Sequence, residues 1–243
     1  MNMLNIFIRQ DLKMRKGKMA AQTAHAVMKL LFDVTKKSSI KMVLPAKQAQ
    51  ELDDFLANPI VKIQMVQNEN ALMKALDKNL PHAVIVDSGR TEFHGVPTVT
   101  CAAQGIFSFC DFSEIHVPHI YGKEIKAKQI FVFNKDTPLS KEMACELSVL
   151  TCLEYLSKQL KSDNNEKYFD LNEDSAFVAW IVNAFAKIGL SAKTMDELNQ
   201  VKDNLNTNSI SFIQRTVKDN TCLCIEPCYP EKIDPITGVL SLI

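Results

Sequence analysis

Four cations stand between residues 13 and 18, at Lys13, Arg15, Lys16 and Lys18. Gln22, His25 and Lys29 follow Lys18 at helical spacing, so a helix starting near residue 18 would carry a basic, hydrogen-bonding stripe from its N-terminus. Free backbone N–H groups and the helix dipole favour an anion at such a terminus, and a phosphate is the group this stripe suits. Spacing alone fits a solvated charge run equally, with His25 a bystander. Further along, Asp87 heads the segment DSGRTEFHGVP. Beside Ser88 and Gly89 it reads, by its own neighbours, as an Asx-type turn residue closing a strand.

Other constellations offer less. The chain has no GxSxG elbow, no HExxH helix and no Walker-type glycine loop, so serine hydrolase, zinc protease and P-loop readings lack their motifs. Cys222, Cys224 and Cys228 lack the paired CxxC spacing of a zinc site, and two Cys at strand period read as core. His94, His116 and His119 show no common metal spacing. Seven Cys form an odd set, for which free thiols are expected rather than disulfides.

The elements that must position these residues alternate. Leu4 to Arg9 reads as a buried strand, followed by a glycine-bearing loop and a helix from Lys18 to Val34. In that helix Ala20, Ala24, Val27 and Leu31 form an apolar stripe opposite the basic one. Ile60 to Val66 is a second strand, Asn68 to Lys78 a helix, His82 to Val86 a third strand ending at Asp87, and Thr98 to Ala103 a fourth. Such alternation implies an α/β layered domain with a mixed or mostly parallel sheet.

At 243 residues, with 47% hydrophobic and 23% charged content, the chain is long enough for one large domain or two small ones. No apolar run suits a signal-peptide core or a membrane span, and a cytoplasmic location is expected. The net charge of zero conceals an asymmetry. Residues 1–122 hold 14 Lys and Arg against 11 Asp and Glu, and residues 123–243 hold 14 against 17. A polyanion would therefore dock on the first half.

The second half repeats the order of the first. At an offset of 124, Ile6 and Phe7 match Ile130 and Phe131, and Met19 and Ala20 match Met143 and Ala144. Lys62 and Ile63 match Lys187 and Ile188 at 125, and Thr98 matches Thr221 at 123. A tandem duplication with a boundary near 120–126 is expected, the alternative being one domain with an unrelated insertion.

The stretch DLKMRKGKMAAQTAHA, Asp11 to Ala26, resembles the signature segment of the type 2 peptidyl-tRNA hydrolases. DSGRT followed by PTV, Asp87 to Val99, is similar to that family's second signature. The resemblance implies an α/β/α sandwich that usually dimerises and cleaves the ester between a peptide and the terminal ribose of tRNA, with no metal or cofactor. Carried over by position, it implies that Lys13, Asp87, Thr91 and Thr98 are the catalytic group, and that Lys16, Lys18, Gln22, His25 and Arg90 contact substrate. Asp87 would then be the general base for water, Lys13 would stabilise developing charge, and the Thr hydroxyls would orient water or substrate.

The offset of 124 sets Thr137 opposite Lys13, Ser140 opposite Lys16, Glu142 opposite Lys18, Glu146 opposite Gln22 and Val149 opposite His25. Residues Ser211 to Asn220 show no carboxylate at the position of Asp87. The expected architecture is thus two tandem α/β/α sandwiches, each with a small mixed, mostly parallel sheet, packed as an intramolecular pseudo-dimer. Residues 1–122 form the active copy and 123–243 a degenerate one. Glu231 to Ile243 resembles the family's C-terminal segment better than Phe112 to Ile125 does. The competing reading is a non-catalytic tRNA-binding or regulatory protein whose acidic second half recruits a protein partner, and a third is a hydrolase with another substrate.

Overall fold

A computed structural model describes residues 3–38, 40–89, 92–109, 126–163, 166–172 and 174–243. Strand β1, Met3–Arg9, turns Ile6 and Ile8 to one face and Phe7 to the other, as the two-residue period of a strand requires. After it comes α1, Lys16–Asp33, rich in alanine and unbranched apolar residues that favour helix and ending before the β-branched pair Val34 and Thr35. The hairpin β2, Lys36–Lys37, and β3, Lys41–Leu44, leads to α2, Ala46–Ala57. Next come β4, Ile60–Val66; α3, Glu69–Ala75; β5, His82–Asp87; and β6, Thr98–Gly105. The hairpin and α2 have no counterpart in the expected element order; the hairpin strands are too short to carry a period, whereas α2 does show one in Gln48, Ala49, Leu52 and Phe55.

The strands of this half form one sheet in the order β4-β1-β6-β5, with α1 on one face and α3 on the other. The sheet is mixed, as the alternation implies, but it is not mostly parallel. Only β1 and β4 run parallel, and β6 is antiparallel to both β1 and β5. Only the segment between β1 and β4, which holds α1 and α2, is a crossover between parallel neighbours.

The second half comprises β7, Lys128–Asn134; α4, Lys141–Lys158; β8, Lys161–Asp163; β9, Glu166–Asp170; and α5, Ala176–Ile181. It continues with β10, Ala186–Ala192; α6, Met195–Thr207; β11, Phe212–Val217; β12, Asn220–Cys228; α7, Pro230–Thr237; and β13, Ser241–Leu242. Its sheet order, β11-β12-β7-β10-β13, is that of the first half with β13 added at one edge.

The register between the halves differs by one residue from the offset of 124. Ile6 and Ile8 share the central core with Phe131 and Phe133, whereas Phe7 and Val132 face outward. A one-residue slip would reverse these faces, so β1 aligns with β7 at 125. Helices α1 and α4 obey the same shift. Lys13 therefore stands opposite Pro138, Lys16 opposite Lys141, Lys18 opposite Met143, Gln22 opposite Leu147 and His25 opposite Leu150. The Lys62–Lys187 match is likewise coincidental, since Lys62 is exposed and Lys187 is buried. Strand pairing sets Cys222 against Phe133 as it sets Cys101 against Ile8, so Thr221 stands at Thr100, not at Thr98.

One core spans both halves, with α1 packed on α4 at its centre. The Thr23 and Ser148 hydroxyls meet at 3.4 Å, and the Ser148 Oγ donates to Ala20 O at 3.0 Å. At the far end of α1 the hairpins of the two halves join as a third sheet, β2-β3-β9-β8, through antiparallel pairing of β3 with β9. Cys222, Cys224 and Cys228 are buried free thiols of β12. Cys110, His116 and His119, like the segment Phe112 to Ile125, lie outside the described residues.

Two titratable groups are trapped between the halves. Lys187 Nζ donates to Gln129 Oε1 at 2.7 Å and lies 3.9 Å over the Trp180 ring, and burial pushes its ammonium down to about 8. The Nε2–H of His25 donates to Phe185 O at 3.1 Å, and the two rings meet edge-on. Burial first, and then the Lys187 cation, push the imidazole down to about 3 from an ordinary 6.5. Below pH 6.5 the unfolded chain protonates His25 and the folded chain does not, so this contribution is complete above 6.5 and is lost as pH falls toward 3. Urea denaturation should therefore show His25→Phe losing less stability than the parent chain between pH 6.5 and about 4.5. Lys187→Met should be the more stable protein at pH 7, by roughly 1–3 kcal/mol.

Candidate active site

The site-forming segments meet at one end of the first sheet, where β1 and β5 end and β6 begins. Arg9, the last residue of β1, holds the loop after it. Its guanidinium grips Asp11 through Nη2–Oδ2 at 2.7 Å and Nε–Oδ1 at 3.1 Å, reaches Glu69 at 3.0 Å, and donates to Val99 O at 2.9 Å. The Gln10 N–H donates to Val66 O, Lys13 turns the chain at φ +50°, and Met14 is buried below. Lys13 is thereby exposed on a turn directly before α1.

Asp87 is buried at the end of β5, and among the described residues three donors reach its carboxylate. Lys18 pairs with Oδ2, Gln22 Nε2 donates to Oδ2 at 2.7 Å, and the Gly89 N–H donates to Oδ1 at 2.7 Å. The last bond is an Asx turn, so the turn expected from local sequence and a carboxylate facing the helix are one arrangement. Gly89 sits at φ +77°, and a Cβ there would come within 2.6 Å of Val96 N, so the turn requires glycine. Gln22 is fixed in its turn by Thr100, whose Oγ1 donates to Gln22 Oε1 at 3.0 Å. A carboxylate offers about four lone-pair sites, and the described residues fill about three of them, two on Oδ2 and one on Oδ1.

The strand register sets Thr98 directly opposite Asp87, and its hydroxyl donates to Val96 O at 2.9 Å. Above Lys18 lies the Phe93 ring, 5.7 Å from Nζ to centroid. Phe93, His94 and Gly95 all have positive φ, a strained run in the loop that overhangs the carboxylate. Arg15 ties this loop to the start of α1 through Glu92 at 2.9 Å.

Lys18, Gln22 and Asp87 are thus in direct contact, with Thr98 in register and Lys13 on the adjoining turn. The basic stripe does not form one open surface. Lys16 Nζ donates to Leu139 O in the second half, and His25 faces Phe185, away from Asp87. Nor is the start of α1 open to a phosphate at Gly17, whose N–H donates to Ile243 O at 2.9 Å. These three groups were expected to face an anion, and the packing of the second half against α1 takes them instead. Arg90 and Thr91 lie outside the described residues. Thr100 was not anticipated, although it shares the two-residue strand period of Thr98.

In the second half Met143 and Leu147 replace Lys18 and Gln22, β11 ends in Val217, and Lys218–Asp219 alone turns the chain into β12. Both the carboxylate and its overhanging loop are missing there. In the first half, Gln22→Leu should lower stability by about 1–3 kcal/mol, because it removes a donor from buried Asp87 and leaves the Thr100 hydroxyl only the longer bond to Ile85 O at 3.3 Å. An unchanged denaturation midpoint would show that Gln22 does not hold this network.

Among the described residues, no helix is long and apolar enough to cross a membrane. The family model described as peptidyl-tRNA hydrolase PTH2 matches residues 2–106 and again 127–243. A peptidyl-tRNA hydrolase of Metallosphaera sedula is 37% identical over 105 residues, covering 41% of this chain and 82% of the relative. One from Sulfolobus acidocaldarius is 35% identical over 105 residues with the same coverage. One from Sulfurisphaera tokodaii is 34% identical over 101 residues, covering 41% and 81%. With two matched regions that each coincide with one sheet and its helices, the chain belongs to the peptidyl-tRNA hydrolase family, in tandem copies.

Proposed function

We propose that the first half hydrolyses the ester joining a peptide, or another N-blocked aminoacyl group, to the terminal ribose of tRNA. The observation that carries this reading is the buried Asp87 carboxylate, held among the described residues by Lys18 and Gln22 on Oδ2 and by the Gly89 N–H on Oδ1. That oxygen would take the proton of the attacking water. Lys18 pairs with the carboxylate, and Lys13, on the exposed turn beside the helix start, would stabilise charge developing on the ester oxygen. Thr98, opposite Asp87, would orient water or substrate, and Thr91 and Arg90 complete the expected set.

The two halves would stand in for the two subunits of a dimer, the second without a hydrolytic site of its own, because Met143, Leu147 and Val217 can neither hold nor supply a carboxylate. Phosphate contacts by the exposed Lys13 and Arg15 predict that tRNA affinity falls as salt is raised.

Single-turnover hydrolysis of an N-blocked aminoacyl-tRNA tests the assignment. Asp87→Asn should lower the rate by at least about 10²-fold, the contribution of a general base. Lys13→Ala should lower it by about 10- to 10³-fold, with folding unchanged by circular dichroism. Salt-sensitive tRNA binding without any cleavage would instead identify a tRNA-binding protein built on this fold.

A further inference from the structure

The start of α1 is held from outside its own half. Its N-cap residue, Arg15, makes no side-chain cap, and its first turn holds no acidic residue. Helices α3, α4, α5 and α6 are all capped by their own side chains, from Asn68, Ser140, Ser175 and Thr194. In addition Lys16 and Lys18 place two cations at the positive end of the α1 dipole, an unfavourable start for an isolated helix. The missing cap is supplied by the second half, where the backbone oxygen of Ile243 accepts from the Gly17 N–H at 2.9 Å. Ile243 is itself seated, since β13 pairs with β10 and the Ile243 N–H donates to Gly189 O at 3.3 Å. The approach leaves no room for a side chain on α1. A Cβ on Gly17 would lie 2.6 Å from Ile243 O and 2.8 Å from its Cγ2, and one on Gly189 would lie 2.9 Å from the Gly17 Cα.

We propose that Ile243 is a positioning residue for the hydrolytic site: its oxygen caps α1 and so fixes Lys18 and Gln22, one and five residues further on, against Asp87. The proposal rests on the function proposed above and gives the second half a role in a reaction whose reactive groups it lacks. The symmetry of the fold does not demand this contact, because α4 caps itself through Ser140, which accepts from the Met143 N–H at 3.0 Å.

The test compares the full chain with a chain ending at Leu242, each with and without Arg15→Ser, whose hydroxyl can accept the released N–H, the substituted full chain measuring what loss of the Arg15–Glu92 pair does by itself. With N-blocked aminoacyl-tRNA, loss of Ile243 should lower kcat about tenfold and leave KM within about twofold, and in the presence of Arg15→Ser the same loss should change kcat by no more than about threefold. An unchanged kcat, or a loss as large with Arg15→Ser as without it, would overturn the proposal. The Gln22 side-chain amide resonances give a readout independent of turnover: they should shift in the shorter chain and return with Arg15→Ser. If the full chain cleaves no tRNA, the hydrolase reading falls by itself and these resonances decide the positioning. If the shorter chain does not fold, hydrogen exchange of the Gly17 N–H in the full chain decides it. Protection equal to that of mid-helix amides supports the cap, and exchange at the rate of an exposed turn refutes it.

Discussion

Helix α1 is enclosed on every side but a narrow edge at Lys29 and Asp33, and the rest of the molecule follows from that constraint. A helix flanking a sheet in a small α/β domain normally keeps one polar face in water. Here Ala20, Ala24 and Val27 are fully buried, and so are Ala26, Met28 and Leu30 on other faces, because the first sheet covers one side and α4 with β10 covers another. The polar residues of the helix must therefore find partners inside the protein. Gln22 finds Asp87 and Thr100, Thr23 finds Ser148, and His25 finds the Phe185 carbonyl. Each bond ties the helix to a different neighbour, and together they fix its rotation and its height along the sheet.

Burial also shapes the electrostatics. A cation, an amide and a backbone N–H all reach Asp87 on the side facing the helix, and such contacts offset the desolvation that an isolated buried charge would suffer. Among the described residues Lys187 has no such partner acid. Its ammonium rests on Trp180 and Gln129, and its proton is held less firmly than that of an exposed lysine. The two cases separate a charge built into a polar network from one that packing has enclosed. Only the first lies beside an exposed loop and a turn that a substrate can reach.

The strands β1 and β4 to β6 and the helix α1 are legible in the sequence because each combines a clear period with a glycine or a turn at its end. So is the duplication, from the repeated element order. The pairing direction of β6 is not, since nothing in Thr98 to Gly105 distinguishes a strand entered by a crossover from one entered by the loop after Asp87. The register between the halves also escaped, because a pair such as Ile6 and Ile130 is equally apolar at 124 or 125 and only the face it buries distinguishes them. The motifs locate Lys18, Gln22 and Asp87 without showing that they touch. They mislead over Lys16 and His25, whose partners Leu139 and Phe185 lie far along the chain.

Comparing the two long helices shows where this fold departs from the local rules of helix formation. Helix α4 obeys them: Ser140 caps it, Glu142 stands in the first turn and Lys158 in the last, and Met143 and Leu147 offer no polar group that needs a partner. Helix α1 breaks them at the same positions, with Arg15 at the cap, two cations in the first turn and Gln22 in the core. Both helices span 18 residues in equivalent places, so length and layer explain none of the difference. Conflict between local preference and adopted structure is expected where a site is kept at some expense of stability, and its relief in the other copy is what loss of that site would permit. The poorly started helix is the one that carries Lys18 and Gln22 to Asp87, and the well-started helix is the one that holds it in place.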